Sequence, residues 1–388
     1  MGLGSGNNKL STCYNEFYQC ASSNTGNLLF NYALETLVSL AGTDVRWSTP
    51  AEKINAEGHS LLIPMANNIG AHTDLGKSGP KLSGVNVHKT VMGLGAQFQL
   101  NQDFEEAFAK IPSSSKQWLI DLCNSSSVPN VSVRGKLTHK VFEKLGVGNK
   151  AIPLGCPSHF LSSDKLLGTT ISKRIALLDA SNFRHGVAVT AGNPAIANLG
   201  KLEQFLISTI NCFGGKYIVQ HPKDLICLTE GWYSELTDEE IANVSRMFFH
   251  DAPVDTMKYW FKRFAITYRS IPQWYSDISK HDIVVGTRIH GCQIGLQAGV
   301  PSICLHIDSR TKELCETMHI PTLPAKEFQK APSMALIVDT LKKWDWEFYD
   351  QNRHQLARQT FEFVKQNGLS PSEHFSSLVA GGESLIQA

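Results

Sequence analysis

One stretch of sequence constrains the fold more than any other: residues 282–307, DIVVGTRIHGCQIGLQAGVPSICLHI. Residues 282–286 show the pattern of a buried strand, and 301–307 form a second strand pattern. Between them, 291–298 show helical spacing that stops at Gly299. A strand, a helix and a second strand in so short a stretch predict a βαβ unit with parallel strands. We therefore expect an α/β protein built on parallel sheets.

The same alternation of apolar runs and helical patterns extends through most of the chain and predicts two Rossmann-like domains. The strand candidates are 60–65, 88–94, 131–134, 150–154, 186–190, 216–220, 225–228 and 264–268. The helix candidates are 28–41, 138–145, a segment opening with the capping-box pair Thr237 and Glu240, 271–280 and 334–366. The pattern of residues 161–184 fits neither a helix nor a strand clearly, and we place the domain junction there, before the loop 191–194. We therefore expect one domain at 1–170, a second at 171–330 and terminal helices at 331–388.

Composition excludes several classes of protein. The 388 residues are 42% hydrophobic and 18% charged, which suits globular domains and not disorder. A net charge of +1 argues against a duplex nucleic acid partner. Nine scattered cysteines without a CxxC pair, and a start without an export signal, predict a reducing cytoplasm and no zinc ribbon. The longest apolar region is interrupted by polar residues and cannot span a bilayer, which leaves only a peripheral membrane contact open.

The loop 287–291, Thr-Arg-Ile-His-Gly, is the main candidate site. In a βαβ unit this loop lies at the carboxyl edge of the sheet, and the helix that follows offers unpaired N–H groups to an anion. Arg288 suits carboxylate or phosphate, His290 exchanges a proton near neutral pH, and Gly291 lets a ligand approach the backbone. The combination predicts a catalytic anion site. A surface ion pair beside a capping histidine is the competing interpretation.

Three more cationic side chains are candidates for binding the same anion. Arg310 and Lys312 follow the next strand, so we expect them in the neighbouring loop on the same sheet edge. Arg134 ends the strand at 131–134, before a helix for which Thr138 is the expected cap; a solvated strand-end charge is the alternative for this arginine. No dinucleotide or P-loop glycine motif is complete, which argues against binding of a nicotinamide cofactor or a P-loop nucleotide. No HExxH motif occurs, so a metal site is not expected.

The stretch GTRIHGCQIGLQAGVPSICLHIDSRTKELCETMHIP resembles the signature of the polysaccharide pyruvyl transferase family. Weaker similarities are the loop with Asn24, Gly26 and Asn27, the strand into Gly93 and Gly95, and the pattern Val133-Arg134 followed by Thr138. The chain departs from the family's pattern in two places. Asp308-Ser309-Arg310 stands where Asp-Pro-Lys is frequent, and Arg310 retains the positive charge of the lysine. Gly135 stands where an acidic residue commonly occurs, which puts the handling of the acceptor in doubt.

The resemblance implies a glycosyltransferase-B-like pair of Rossmann-like domains around a cleft. It also implies phosphoenolpyruvate as donor, a sugar of a glycan or glycolipid precursor as acceptor, and a pyruvate ketal as product with release of phosphate. His290 and Arg288 are then catalytic, and the substrate-binding residues are Arg134, Arg310, Gly291, Lys312, Asn24 and Gly26. No cofactor and no metal are needed, because guanidinium groups neutralise the donor. The implied location is the cytoplasm, with the inner face of the membrane left open.

Two alternatives remain at the level of sequence. A sugar-nucleotide-dependent glycosyltransferase of the same fold would use the cations for a diphosphate, although no base-binding element is recognisable. A non-catalytic relative that only binds glycan is favoured if His290 is buried away from substrate.

Overall fold

The structure, a computed structural model, describes residues 11–21, 24–39, 50–58, 60–193, 199–250 and 252–380. Expectations about residues 1–10 and about Pro194 in the loop after strand 186–190 lie outside this part. The chain packs as two compact units. The first-sheet unit comprises Ala33–Lys165, Asp308–Ile320 and Phe348–Ala388; the second-sheet unit comprises Met1–Tyr32, Leu166–Ile307 and Pro321–Glu347.

Strands and helices alternate as expected. The strands are β1 (Ser60–Pro64), β2 (His88–Leu94), β3 (Val131–Val133), β4 (Ala151–Pro153), β5 (Val187–Thr190), β6 (Gly215–Ile218), β7 (Ala265–Ile266), β8 (Ile283–Gly286), β9 (Ser302–His306) and β10 (Thr322–Pro324). The helices up to β8 are α1 (Tyr14–Ala21), α2 (Gly26–Leu37), α3 (Ala51–Glu57), α4 (Leu75–Ser78), α5 (Phe104–Ala109), α6 (Ser113–Asn124), α7 (Lys136–Lys144), α8 (Leu167–Ala176), α9 (Gly200–Phe213), α10 (Lys223–Glu230), α11 (Asp238–Phe249), α12 (Val254–Phe264) and α13 (Ile271–Ile278). They continue with α14 (Ile289–Gln297), α15 (Ser309–Thr317), α16 (Ala325–Phe328), α17 (Met334–Lys342), α18 (Trp346–Gln366) and α19 (Glu373–Val379).

The first-sheet unit is built on a parallel sheet in the order β1-β2-β3-β4. Residues of β2 from Lys89 to Leu94 are all buried, as is the whole of β3, because helices such as α6 and α7 cover the sheet. The core includes Val91, Val133 and Phe142, each 0% exposed. Arg134 directly follows β3 and therefore lies at the carboxyl edge of this sheet.

The second-sheet unit has a parallel sheet in the order β10-β9-β8-β5-β6-β7. Its first strand in sequence, β5, lies in the middle, with later strands added on both sides. This is the strand order of a Rossmann fold, and its direction of growth reverses between β5 and β8. Both strands are fully buried. Ligands of such sheets bind beyond the carboxyl ends of the strands at this switch point.

The structure confirms the βαβ unit that the sequence predicts, as β8, α14 and β9. It also confirms the capping box, in which the Thr237 side chain accepts from Glu240 N and the Glu240 carboxylate accepts from Thr237 N. The strand predicted at 225–228 is wrong, since these residues lie within α10. Leu225, Ile226, Cys227 and Leu228 are all buried, and a short apolar run buried on every side has no periodicity to separate helix from strand.

The expected domain ranges 1–170, 171–330 and 331–388 stay predictions, and the compact units follow a different division of the chain. Asp308–Ile320, which the ranges place with the second domain, packs in the first-sheet unit together with Ala33–Lys165. Within the described ranges, no helix combines the length and apolar character that crossing a bilayer requires.

Candidate active site at the carboxyl edge of the second sheet

Arg288 and His290 lie where β8 ends and α14 begins, at the switch point of the second sheet. Arg288 is the N-cap residue of α14, in extended conformation with φ −98° and ψ 104°. Its carbonyl accepts from Gly291 N at 3.0 Å and from the Thr190 hydroxyl at 3.4 Å. The loop is therefore tied both to its own helix and to the end of β5. The side chains of Arg288 and His290 are both half-buried, and His290 stands in the first turn of the helix.

The loop at Asn24–Asn27 lies directly against His290. A Cβ atom on Gly26 would lie 2.8 Å from His290 Nδ1 and 2.7 Å from Gln220 Oε1, distances that real Cβ atoms essentially never show. Gly26 N donates to Asn24 Oδ1 at 2.9 Å, and Thr25 N donates to the carbonyl of Gln220 at 3.1 Å. The glycine thus lets the loop approach the histidine, and the asparagine fixes the turn that does so.

Gln220, two residues beyond the end of β6, completes the surroundings of the histidine. Its side chain is 1% exposed, and its Nε2 would lie 2.8 Å from a Cβ on Gly291. Among the described residues, Gln220 Nε2 and the hydroxyl of the buried Thr25 have no hydrogen-bond partner. Buried polar atoms without partners are uncommon in folded proteins, and a catalytic role, strain or an ordered water is the usual explanation. Gln220 Nε2 lies beside the first turn of α14, next to the Cα atom of Gly291.

The guanidinium of Arg288 is held next to the end of β5. Its Nε donates to the carbonyl of Ala191 at 3.4 Å. The following residue, Gly192, donates its N–H to the buried carboxylate of Glu203 at 2.7 Å, and the Tyr217 hydroxyl donates to the other carboxylate oxygen at 2.7 Å. Burial raises the pKa of Glu203 to about 7, although both hydrogen bonds and the charge of Arg288 act to lower it. The charge of Arg288 therefore acts on a buried carboxyl group whose pKa is raised by burial.

Arg134 occupies the carboxyl edge of the other sheet, in the first-sheet unit. The side chain is 1% exposed; Nε donates to the Gly93 carbonyl at 2.9 Å and Nη1 donates to Asn67 Oδ1. Nη2 has no partner among the described residues. Burial lowers the pKa of Arg134 to about 10, Cys156 acts in the opposite direction and Arg310 adds to the lowering, so the guanidinium stays charged at neutral pH. A buried cation with a free N–H group suits an anionic ligand.

Arg310 and Lys312, both on α15, differ in their surroundings. Arg310 Nη2 lies 3.4 Å from Asp308 Oδ2. The buried Nε of Arg310 has no hydrogen-bond partner among the described residues. The charge of Arg310 lowers the pKa of Arg134, and both arginines belong to the first-sheet unit. Lys312 is exposed and pairs with Glu316 on its own helix at 3.7 Å. Exposed pairs of this kind contribute little to stability.

The expected cap at Thr138 is wrong. Gly135 is the N-cap of α7, and Thr138 is buried inside the helix. Its hydroxyl accepts from Ala96 N at 2.9 Å and donates to the Glu313 carboxylate at 2.8 Å, so the side chain joins β2 and α15 to α7. The sequence shows only a small hydroxyl residue near a helix start and carries no sign of the distant glutamate.

Three residues near the two sheet edges were not singled out from sequence: Asn67, Glu203 and Gln220. None of them belongs to a recognisable motif, and each acquires its role through a contact with a distant segment. A polar residue at the end of a predicted strand, or one or two positions after it, is the only available signal. It applies to Gln220, the last residue of the predicted strand 216–220, and to Asn67, two positions after 60–65, but not to Glu203.

The second sheet, with its Rossmann strand order and with an arginine, a histidine and a helix N-terminus at the switch point, defines a Rossmann-like α/β protein with a candidate anion site. Comparison with protein families adds the family itself. The polysaccharide pyruvyl transferase model matches residues 109–309, slightly more than half of the chain. The chain therefore belongs to the polysaccharide pyruvyl transferase family, and this confirms the resemblance stated from sequence. Comparison with curated proteins gives no match.

Arg134, Arg288 and His290 all fall within the matched residues, whereas Asn24, Gly26, Arg310 and Lys312 fall outside them. The family indicates a transferase that acts on a saccharide acceptor. The roles of the individual residues remain predictions, and they are argued below from the geometry of each unit.

Proposed function

We propose that this protein transfers the enolpyruvyl group of phosphoenolpyruvate to two hydroxyls of a sugar, forming a pyruvate ketal and releasing phosphate. The acceptor is a glycan repeat unit or a lipid-linked sugar. The single observation that carries the proposal is the position of Arg288 and His290 at the switch point of the second sheet, in a chain that belongs to this family. An anion-binding cation and a proton donor are the two groups that this reaction requires.

The reaction makes a specific demand on His290. Its imidazolium gives a proton to the methylene carbon of the donor, which leaves positive charge on the neighbouring carbon. A sugar hydroxyl adds to that carbon and returns a proton to the histidine. The bond to phosphate then breaks, and a second hydroxyl closes the ketal while its proton leaves with the phosphate. Acid–base help from a positioned side chain is worth about 10²–10⁴-fold in rate.

Arg288 holds an anionic group of the donor in this scheme, and the first turn of α14 adds backbone N–H groups. Gly291 and Gly26 let neighbouring side chains pack against the backbone beside His290, because a Cβ on either residue would meet side chains already in place. Contact of these two glycines with the donor is proposed from the family resemblance. Asn24 shapes the turn that carries Gly26. No metal or cofactor enters the scheme, since guanidinium groups supply the positive charge.

The assignment of Arg134 and Arg310 to substrate binding is a second part of the proposal. It is supported by Arg134 Nη2 and Arg310 Nε, which have no hydrogen-bond partner among the described residues, and by the charge of Arg310, which lowers the pKa of Arg134 although Glu313 and Asp308 act in the opposite direction. Lys312 is the weakest member of the set because it already has an exposed partner. The glycosyltransferase-B-like arrangement with a cleft, and a cytoplasmic location at the inner face of the membrane, are proposed from the family resemblance alone.

The proposal is tested by incubating the purified protein with phosphoenolpyruvate and a panel of glycosides. We expect phosphate release that depends on a glycoside, and a product heavier by one pyruvyl unit. Release of a nucleoside diphosphate from a sugar nucleotide would instead identify a glycosyltransferase. Glycoside binding with neither reaction would identify a non-catalytic glycan-binding protein.

A further inference from the structure

Glu203 is a buried carboxylate at the switch point of the second sheet for which the proposed reaction has no use. It lies on α9, is 0% exposed, and receives hydrogen bonds from Gly192 N and from the Tyr217 hydroxyl, each at 2.7 Å. Carboxylates are almost never fully buried unless they are paired. The location of this one, beside the loop that follows β5, suggests that it acts on the candidate site.

The backbone at Gly192 is fitted to this carboxylate. A Cβ on Gly192 would overlap Oε1 of Glu203 and would lie 3.1 Å from the hydroxyl of Thr287, the residue before Arg288. Gly192 also follows Ala191, whose carbonyl accepts from Arg288 Nε at 3.4 Å. Glu203 therefore holds the segment of backbone on which the arginine rests.

Two charged or titratable groups of the described residues act on Glu203. Tyr217, on β6, donates to it, and burial raises the pKa of this tyrosine well above its usual value, so it remains a hydroxyl donor. Arg288, at the start of α14, favours the ionised carboxylate through its charge. Burial opposes the effects of Tyr217 and Arg288 and raises the pKa of Glu203 to about 7.

We propose that Glu203 is a positioning residue that takes up one proton when Arg288 binds an anionic substrate. The proposal rests on the proposed function, in which Arg288 holds the donor. A bound anion neutralises the arginine and adds negative charge nearby, so both effects favour the protonated acid. By linkage, protonation of Glu203 favours anion binding to the same extent.

The sign of the effect follows from the number of protons bound. Below pH 7 Glu203 is already protonated, and binding takes up no further proton. Above pH 7 the free protein holds an ionised Glu203, and binding must add a proton. The affinity for the anion therefore falls as the pH rises above about 7, by up to about tenfold per pH unit while one proton is coupled.

The test measures the dissociation constants of phosphoenolpyruvate and of inorganic phosphate by calorimetry between pH 6 and 9. The wild-type chain is compared with Glu203→Gln and with the control Glu230→Gln, which removes a carboxylate of the same unit that pairs with Arg269. We expect a loss of affinity above pH 7 in wild type and in Glu230→Gln. In Glu203→Gln only the dependence due to the ligand and other groups should remain. An unchanged pH profile in a folded Glu203→Gln protein overturns the proposal.

Tyr217→Phe provides a second variant in case Glu203→Gln does not fold. Loss of the hydroxyl removes a hydrogen bond to the ionised carboxylate, so the pH at which affinity begins to fall should move upward. A purely structural role of Glu203 predicts weaker folding with no such movement, and that result also overturns the proposal. If inorganic phosphate shows the proton linkage while phosphoenolpyruvate does not bind, the proposed donor is wrong and this inference stands. If neither anion binds at any pH, both are wrong.

Discussion

The Cα atom of Gly26 faces the imidazole of His290 so closely that a Cβ added there would lie 2.8 Å from Nδ1. The same Cβ would lie 2.7 Å from Gln220 Oε1, so the displaced groups are the histidine and the buried amide beside it. The position of the histidine therefore depends on a loop that stands far away in sequence. A small change in that loop should affect the reaction before it affects the fold.

Gly26→Ala is expected to lower the transferase rate by about 100-fold, because displacement of a reacting group by about 1 Å has an effect of that size. Gly200→Ala is the matched control, since Gly200 also begins a helix of the same unit and no atom of the described residues lies within 4 Å of its added Cβ. The control should keep full activity. Equal activity of both variants would show that the contact with Gly26 does not position His290.

His290→Gln is expected to reduce pyruvyl transfer by about 10²–10⁴-fold, because the amide cannot supply the proton to carbon. The side chain is half-buried and lies in the first turn of a helix, so the fold should persist. Phosphate release measures the reaction, and circular dichroism measures the fold. Arg288→Ala should instead mainly weaken donor binding. Full transfer by folded His290→Gln protein would remove the histidine from the mechanism.

Arg134 and Arg353 are both 1% exposed in the first-sheet unit, but their partners differ. Arg353 donates to the carbonyls of His159, Ser162 and Asp164, which makes it a structural cation. Arg134 Nη2 has no hydrogen-bond partner in the part of the chain that the structure describes. Arg353→Lys should lower the melting temperature and leave the increase caused by phosphoenolpyruvate unchanged, whereas Arg134→Lys should reduce that increase. Thermal unfolding with and without donor distinguishes them, and an undiminished increase in Arg134→Lys contradicts its role in binding.

The arrangement around β8, α14 and β9 was predictable because strand and helix periods and a glycine stop all lie within one short stretch. The same stretch places Arg288 and His290 at a sheet edge through local geometry alone. The local pattern did not separate helix from strand at 225–228, because all four apolar residues of this part of α10 are buried.

Long-range contacts account for the rest. The link between Arg310 and Arg134 depends on Asp308–Ile320 packing with Ala33–Lys165, and no local pattern records such a return of the chain. The partner of Gly192 is equally hidden, because Glu203 reads as one polar residue on an amphipathic helix. Only its burial and its two hydrogen bonds reveal that it is held against the loop that supports Arg288.

His159 in the first-sheet unit leads to a prediction about stability and pH. It is 0% exposed, and its pKa is lowered well below the usual value, first by burial and then by the charge of Arg353. The folded state keeps it neutral, whereas the unfolded chain binds a proton below about pH 6.5. The unfolded state then binds more protons than the folded one, so stability falls as the pH falls, by about 1.4 kcal/mol per pH unit for this group.

Urea unfolding at pH 7.5, 6.5 and 5.5 measures this loss. His159→Phe keeps a ring against Phe160 and Tyr349, whose centroids each lie 5.5 Å from that of the histidine, and it cannot titrate. The variant should lose less stability than wild type between pH 6.5 and 5.5. A smaller dependence should persist, because burial also lowers the pKa values of His281 and His354. An equal loss in variant and wild type would mean that His159 already binds its proton in the folded state.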